Sequence, residues 1–410
     1  MTQRHWPPFV WISYAMCVGV MGTALASPLY PLYQQAWHLR PSDITQIFVL
    51  YMCGVLVSLL FLGRLTQRLG FLPILRAGLI VMTTGVLVSA LAASPQVFMA
   101  ARLLIGLSSG MITTSAALGM MQARPGSDPR RVAAFTTVAM TLGFGLGPLI
   151  GGVIAQWAPY PLVTAYVPTL LMGAVAVYAL FQLRGLSRPR VEDDALELRT
   201  LWQMLASWMP RIALPPTARR RQFWVASMSA FVAFGMFSLY ASLAPSFMRD
   251  IVPWHGPAVS GLSIAMILFL SSAFQFMVRN WQTKTVVVVG GMALALCNLL
   301  LIASTLSATP LVFAASVVVT AFGHGLINVG GMGVVGKLTR PEARAGLLSS
   351  YMIVGYMGTI VPILGVGWLS DHLGLNRALL VFCGAMAALA AVVAGVAART
   401  QAIPQPAHQG

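Results

Sequence analysis

Twelve long apolar stretches fill almost the whole of this 410-residue chain, and that single feature decides what it can fold into. A helix that crosses a bilayer needs about 20 mostly apolar residues. Inside lipid the backbone must satisfy its own hydrogen bonds, which leaves helices or closed barrels. The runs here are of helix length rather than short alternating strands. Only 8% of the residues are charged, against about a quarter in soluble domains. The sequence therefore predicts an all-α membrane protein with twelve transmembrane helices. The first six spans fall near Phe9–Tyr30, Ile44–Leu62, Ile74–Ala93, Val97–Met121, Val132–Trp157 and Leu162–Leu183. The second six fall near Phe223–Phe247, Ala258–Val278, Thr285–Thr305, Leu311–Val335, Leu347–Leu369 and Ala378–Ala398.

The loops between the spans divide the basic residues very unevenly. Segments on the side of the N-terminus hold 21 of the 25 lysines and arginines, the opposite segments hold Arg40, Arg249 and Arg377, and Arg102 lies inside a span. Basic loops stay in the cytoplasm during insertion, so both termini are expected there, in a bacterial-type inner membrane. Eight of those arginines sit in one long loop, and 13 against 3 without them points the same way. Met1–His5 followed by an apolar run and Ala24-Leu25-Ala26 also resembles a cleavable signal peptide. Cleavage, however, would leave an odd number of spans with the inner charges on the wrong side. The net charge of +16 is spread over every inner loop, so it reads as an insertion signal and not a nucleic-acid footprint. Cys17, Cys53, Cys297 and Cys383 all fall within spans, without the spacing of a metal site or a disulfide framework.

The chain divides near its middle into residues 1–183, a polar cytoplasmic linker 184–222, and residues 223–410. The halves are weakly similar. Asp128-Pro129-Arg130-Arg131 before span five resembles Arg340-Pro341-Glu342-Ala343-Arg344 before span eleven, and Pro148 inside span five is matched by Pro362 inside span eleven. Repeats of equal span number suggest a rocking transporter with its site at the interface of two six-helix bundles. Within the linker, Leu198, Leu201, Trp202, Leu205, Trp208 and Met209 recur at helical spacing. They fit either an amphipathic helix on the inner membrane surface or a solvated connector.

Span five carries Gly143-Phe144-Gly145-Leu146-Gly147-Pro148-Leu149-Ile150-Gly151-Gly152. Small residues at this spacing let a neighbouring helix approach closely, and Pro148 removes one backbone donor. Gly143, Gly147, Pro148, Gly151 and Gly152 match, position by position, the antiporter motif of the major facilitator superfamily, which the chain resembles from its first span to its twelfth. Arg102 and Gly106 in span four are similar to the R-x-x-x-G motif of the same superfamily. The segment Gly63 to Gly70 resembles its inner-loop gate signature, with Gly63, Arg68 and Gly70 in frame. Gln67 stands where the family carries Asp, and Phe71 and Leu72 stand where it carries basic residues. The resemblance implies the major facilitator fold, and alternating access without a cofactor or metal.

Arg102 needs a partner, because a charge at mid-membrane costs roughly 2.5 kcal/mol or more. No carboxylate lies in the interior of a span. Asp43, at the outer start of span two, is the candidate partner, with Gln46, Gln34, Gln35 and Tyr30 as neutral alternatives; Asp43 also fits a plain helix-start role. Arg102 sits seven residues below the outer end of its span, where snorkelling is open to it. In span ten, His324 and Asn328 are four residues apart and share a helical face. The histidine can carry a coupling proton, contact substrate, or simply be hydrogen-bonded. The resemblance adds cavity candidates in spans one, four and seven: Tyr14, Met21, Thr113, Phe234, Phe237, Ser238 and Tyr240. A lining of this kind suits lipophilic compounds. The expected function is monomeric, proton-coupled export of small lipophilic or cationic compounds. The rivals are a facilitator or importer of a sugar, amino acid or organic anion, and a non-transporting sensor. No nucleophile, metal or phosphate-binding constellation favours an enzyme.

Overall fold

The computed structural model describes residues 7–62, 66, 69–124, 126, 128–183, 212–253, 256–338 and 341–400, side chains of 129, 130, 250 and 341–345 apart. The linker stretch from Leu198 to Met209 and the gate residues Gly63, Gln67 and Arg68 lie outside this set. Among the described residues there is no strand, and twelve helices are long and apolar enough to cross a membrane. They are α1 (Pro8–Trp37), α2 (Pro41–Phe61), α3 (Phe71–Ala90), α4 (Pro95–Gln122), α5 (Arg131–Trp157) and α6 (Pro161–Gln182). The second six are α7 (Thr217–Ser242), α8 (Pro257–Met277), α9 (Thr283–Ser307), α10 (Pro310–Leu338), α11 (Gly346–Leu373) and α12 (Leu375–Ala398).

Local chemistry explains many of the boundaries. Prolines 8, 41, 95, 161, 257 and 310 each open a helix, where a missing N–H leaves nothing unpaired. Ser94 caps α4 by accepting from the Val97 N–H at 3.4 Å. Gly70 and Gly374, both at φ 84°, turn the chain into α3 and α12 in a backbone region that other residues rarely adopt. Inside α1 the helix tightens to a 3-10 turn over Ser27–Leu29, at Pro28.

Packing repeats with a period of six helices. In the first half α1 packs along α5 and α4, and α3 along α4 and α6. In the second half α7 packs along α11 and α10, and α9 along α10 and α12. The chain forms two compact units. The first comprises Met1–His38, Leu50–Pro210 and Gly256–Ala265; the second comprises Leu39–Val49, Arg211–His255 and Met266–Gly410. Within the second unit the Ser42 N–H donates to the Asp371 carboxylate at 3.2 Å, and Gly367 has no room for a side chain because Thr45 and Ser42 lie against it.

Candidate functional site

The first unit buries Arg102 completely, at 0% exposure. Its Nη1 donates to the Thr23 carbonyl at 2.9 Å, one residue before α-helical geometry ends in α1. The guanidinium carbon lies 4.3 Å from the centroid of the Tyr51 ring, a cation–π contact worth about 2 kcal/mol when desolvated. Gly106, one turn further along α4, makes this contact geometrically accessible: the Tyr51 carbonyl occupies the space a side chain there would fill, and Gly54 packs opposite. The small residue thus brings α2 against α4 and holds the Tyr51 ring over the charge. The Tyr30 hydroxyl stands beside the guanidinium but does not reach hydrogen-bond geometry. Behind it, the Tyr33 and Tyr166 hydroxyls are 2.9 Å apart, and Tyr33 stacks on Phe98 with centroids 4.2 Å apart.

The Asp43 carboxylate accepts from the Arg40 N–H at 2.8 Å, the helix-start role that the sequence also offered it. Arg102 uses a carbonyl at the α1 break and an aromatic face, and its Nε and Nη2 have no hydrogen-bond partner among the described residues. Nor does Arg102 snorkel, since its side chain is fully buried. Gln46, the neutral alternative on α2, is exposed.

In the second unit His324 is buried, 8% exposed. Its Nδ1 lies 2.9 Å from the Ser271 hydroxyl of α8, and the Asn328 amide nitrogen lies 3.2 Å from Nδ1 and 3.4 Å from Nε2. Gln275 donates to Ser271 at 3.5 Å. The rings of Phe237 and Phe234 sit 5.6 Å and 6.4 Å from the imidazole, and Tyr356 meets Phe234 edge-on at 5.7 Å. A glycine again sets the approach: the Ser271 carbonyl lies where a side chain on Gly325 would project, 2.5 Å from its Cβ position. The hydroxyl can donate to a neutral ring or accept from a protonated one, whereas the amide nitrogen can only donate. Gaining a proton therefore keeps the first contact and breaks the second.

The other candidates serve mainly as ties within their units. Tyr14 donates to the Met172 carbonyl at 3.2 Å, and Thr113 bonds to Ser109 of its own helix at 2.9 Å. Ser238 donates to Thr359 at 3.1 Å, and the Tyr240 and Ser316 hydroxyls are 2.9 Å apart. Met21 is buried, and its carbonyl lies against Gly147. In the same way Gly143 faces the Cys17 carbonyl, Gly152 faces Pro257, and Gly151 faces Leu25 at 3.1 Å. The motif of α5 is thus a smooth face against α1 and the start of α8, and the helix continues through Pro148. Sequence reasoning missed Ser271, Gln275, Thr23 and Tyr51. A glycine within a turn of each buried polar residue marked a close neighbouring helix without saying which one.

Helices of this number, packed with a six-helix repeat and with buried polar groups inside each unit, are those of a multi-pass membrane protein of the transporter type. The Major Facilitator Superfamily profile matches residues 12–361, and the chain belongs to that family of transporters. Among curated relatives, the putative multidrug resistance protein MdtD of Salmonella typhimurium is 25% identical over 173 residues, covering 42% of this chain. The match spans only 37% of that relative's length. Among solved structures, a bacterial homologue of the human lysosomal transporter Spinster aligns with a TM-score of 0.73 at 13% identity, over 97% of this chain and 98% of that one. A POT family transporter in complex with 5-aminolevulinic acid gives 0.75 at 12% identity, over 95% of each chain. At such identities these likenesses establish the fold alone.

Proposed function

We propose that the protein is a monomeric secondary transporter that exports small lipophilic compounds in exchange for protons, by alternating access, from an inner membrane with both termini cytoplasmic. The observation that carries this reading is the glycine face of α5, whose antiporter-motif residues meet backbone carbonyls of α1 directly. Alternating access moves a bundle as one body, and side-chain-free contacts that lock α5 closely against α1 within its unit give that body the needed rigidity. The multidrug name of the matched relatives supports the same reading. His324 is the proposed proton site, because protonation breaks its Asn328 contact while Ser271 stays engaged. One elementary charge crossing 100 mV supplies roughly 2.3 kcal/mol, worth about fifty-fold in concentration. The test is uptake of lipophilic dyes into inverted vesicles with and without an imposed pH gradient. Accumulation that follows the gradient is expected. Gradient-independent flux of one polar solute would support a facilitator instead.

A further inference from the structure

Two nitrogens of Arg102, Nε and Nη2, have no hydrogen-bond partner among the described residues, and this pairing is chemically specific. Their N–H bonds point the same way along one edge of the planar guanidinium, the edge that grips a carboxylate through two parallel hydrogen bonds. The opposite nitrogen is already occupied by the Thr23 carbonyl, and Tyr51 covers a face of the group, leaving its edge unclaimed. The Tyr30 hydroxyl, also buried without a hydrogen-bond partner among the described residues, stands beside the guanidinium. A buried cation with unmet donors costs about 1–3 kcal/mol for each of them. No carboxylate of the described residues relieves that cost.

We propose that the Nε–Nη2 edge of Arg102, together with the Tyr30 hydroxyl, binds the carboxylate of a lipophilic organic acid carried by this transporter. The assignment rests on the transporter reading above and narrows its cargo, from lipophilic compounds in general to those bearing a carboxylate. The edge is closed to solvent, so the ligand reaches it in a conformation that opens it. The fork recognises planar, bidentate oxygens. It therefore discriminates a carboxylate from an alcohol or an amine on the same ring, and from chloride at equal ionic strength.

The test is thermal stabilisation of the purified, full-length protein in detergent, titrated with benzoate, benzyl alcohol, benzylamine and sodium chloride. Benzoate alone should raise the melting temperature in a saturable manner. Tyr30→Phe, which removes one hydroxyl, should weaken benzoate binding about tenfold, the loss of one hydrogen bond to a charged group. Arg102→Lys keeps the charge and loses the fork, and should weaken it further. Equal stabilisation by benzyl alcohol or chloride would overturn the proposal, as would unchanged benzoate affinity in both variants. Because no gradient is involved, this result and that of the vesicle assay stand or fall separately.

Discussion

Replacing Gly147 by alanine tests the packing argument most sharply. A Cβ at Gly147 would lie against the Met21 carbonyl, well inside ordinary contact, and the obstacle is backbone and cannot rotate away. Restoring normal separation requires α1 and α5 to part by about 1 Å, an overpacking penalty of about 1–3 kcal/mol. Gly143 and Gly152 face carbonyls in the same way, so their alanine variants should lose a similar amount. Gly151 differs, since its nearest neighbours are the Leu25 side chain and carbonyl at 3.1 Å, and a shift of a few tenths of an ångström suffices. Gly384 has nothing within 4 Å; alanine there should be neutral or stabilising by up to about 1 kcal/mol through helix propensity. The assay is SDS-titrated unfolding in mixed micelles, followed by tryptophan fluorescence. If Gly147→Ala and Gly384→Ala unfold at the same SDS fraction, the close-approach reasoning is wrong.

Other expectations follow from the two buried centres. Tyr51→Ala removes the aromatic cover of Arg102 and should cost about 2 kcal/mol in the same unfolding assay, while Tyr51→Phe should retain most of it. Gly325→Val should displace α8 and abolish gradient-driven uptake even though His324 is retained, because Ser271 then loses its place beside the ring. His324→Ala should uncouple dye transport from the pH gradient; retained proton-driven accumulation would remove it as the proton carrier. Tyr240→Phe breaks one buried hydroxyl pair with Ser316 and should lower stability by about 1 kcal/mol without altering coupling.

The spans were legible because hydropathy is a local property, and each helix lies close to the apolar run that encodes it. Arg102 and His324 were legible for the opposite reason: polar groups in apolar runs are costly and demand an explanation. Their surroundings were not. Arg102 meets Thr23 and Tyr51 from two other helices, and His324 meets Ser271 across 53 residues of sequence. Helix rotation and proximity decide these contacts, and one sequence does not encode them in any short pattern. For Asp43 the sequence offered two roles, and the helix-start one is visible in the backbone donor its carboxylate takes from Arg40. Tyr30 appeared only as a neutral alternative, and it is the residue that stands beside the guanidinium.

Exchange of cargo for protons is best tested in proteoliposomes holding the purified protein, a pH-sensitive dye in the lumen and a preloaded lipophilic cargo. Dilution into cargo-free buffer should acidify the lumen as cargo leaves, with both signals lost in vesicles lacking protein. Cargo that escapes through the protein while the lumenal pH stays constant would contradict proton-coupled export and leave a facilitator in its place.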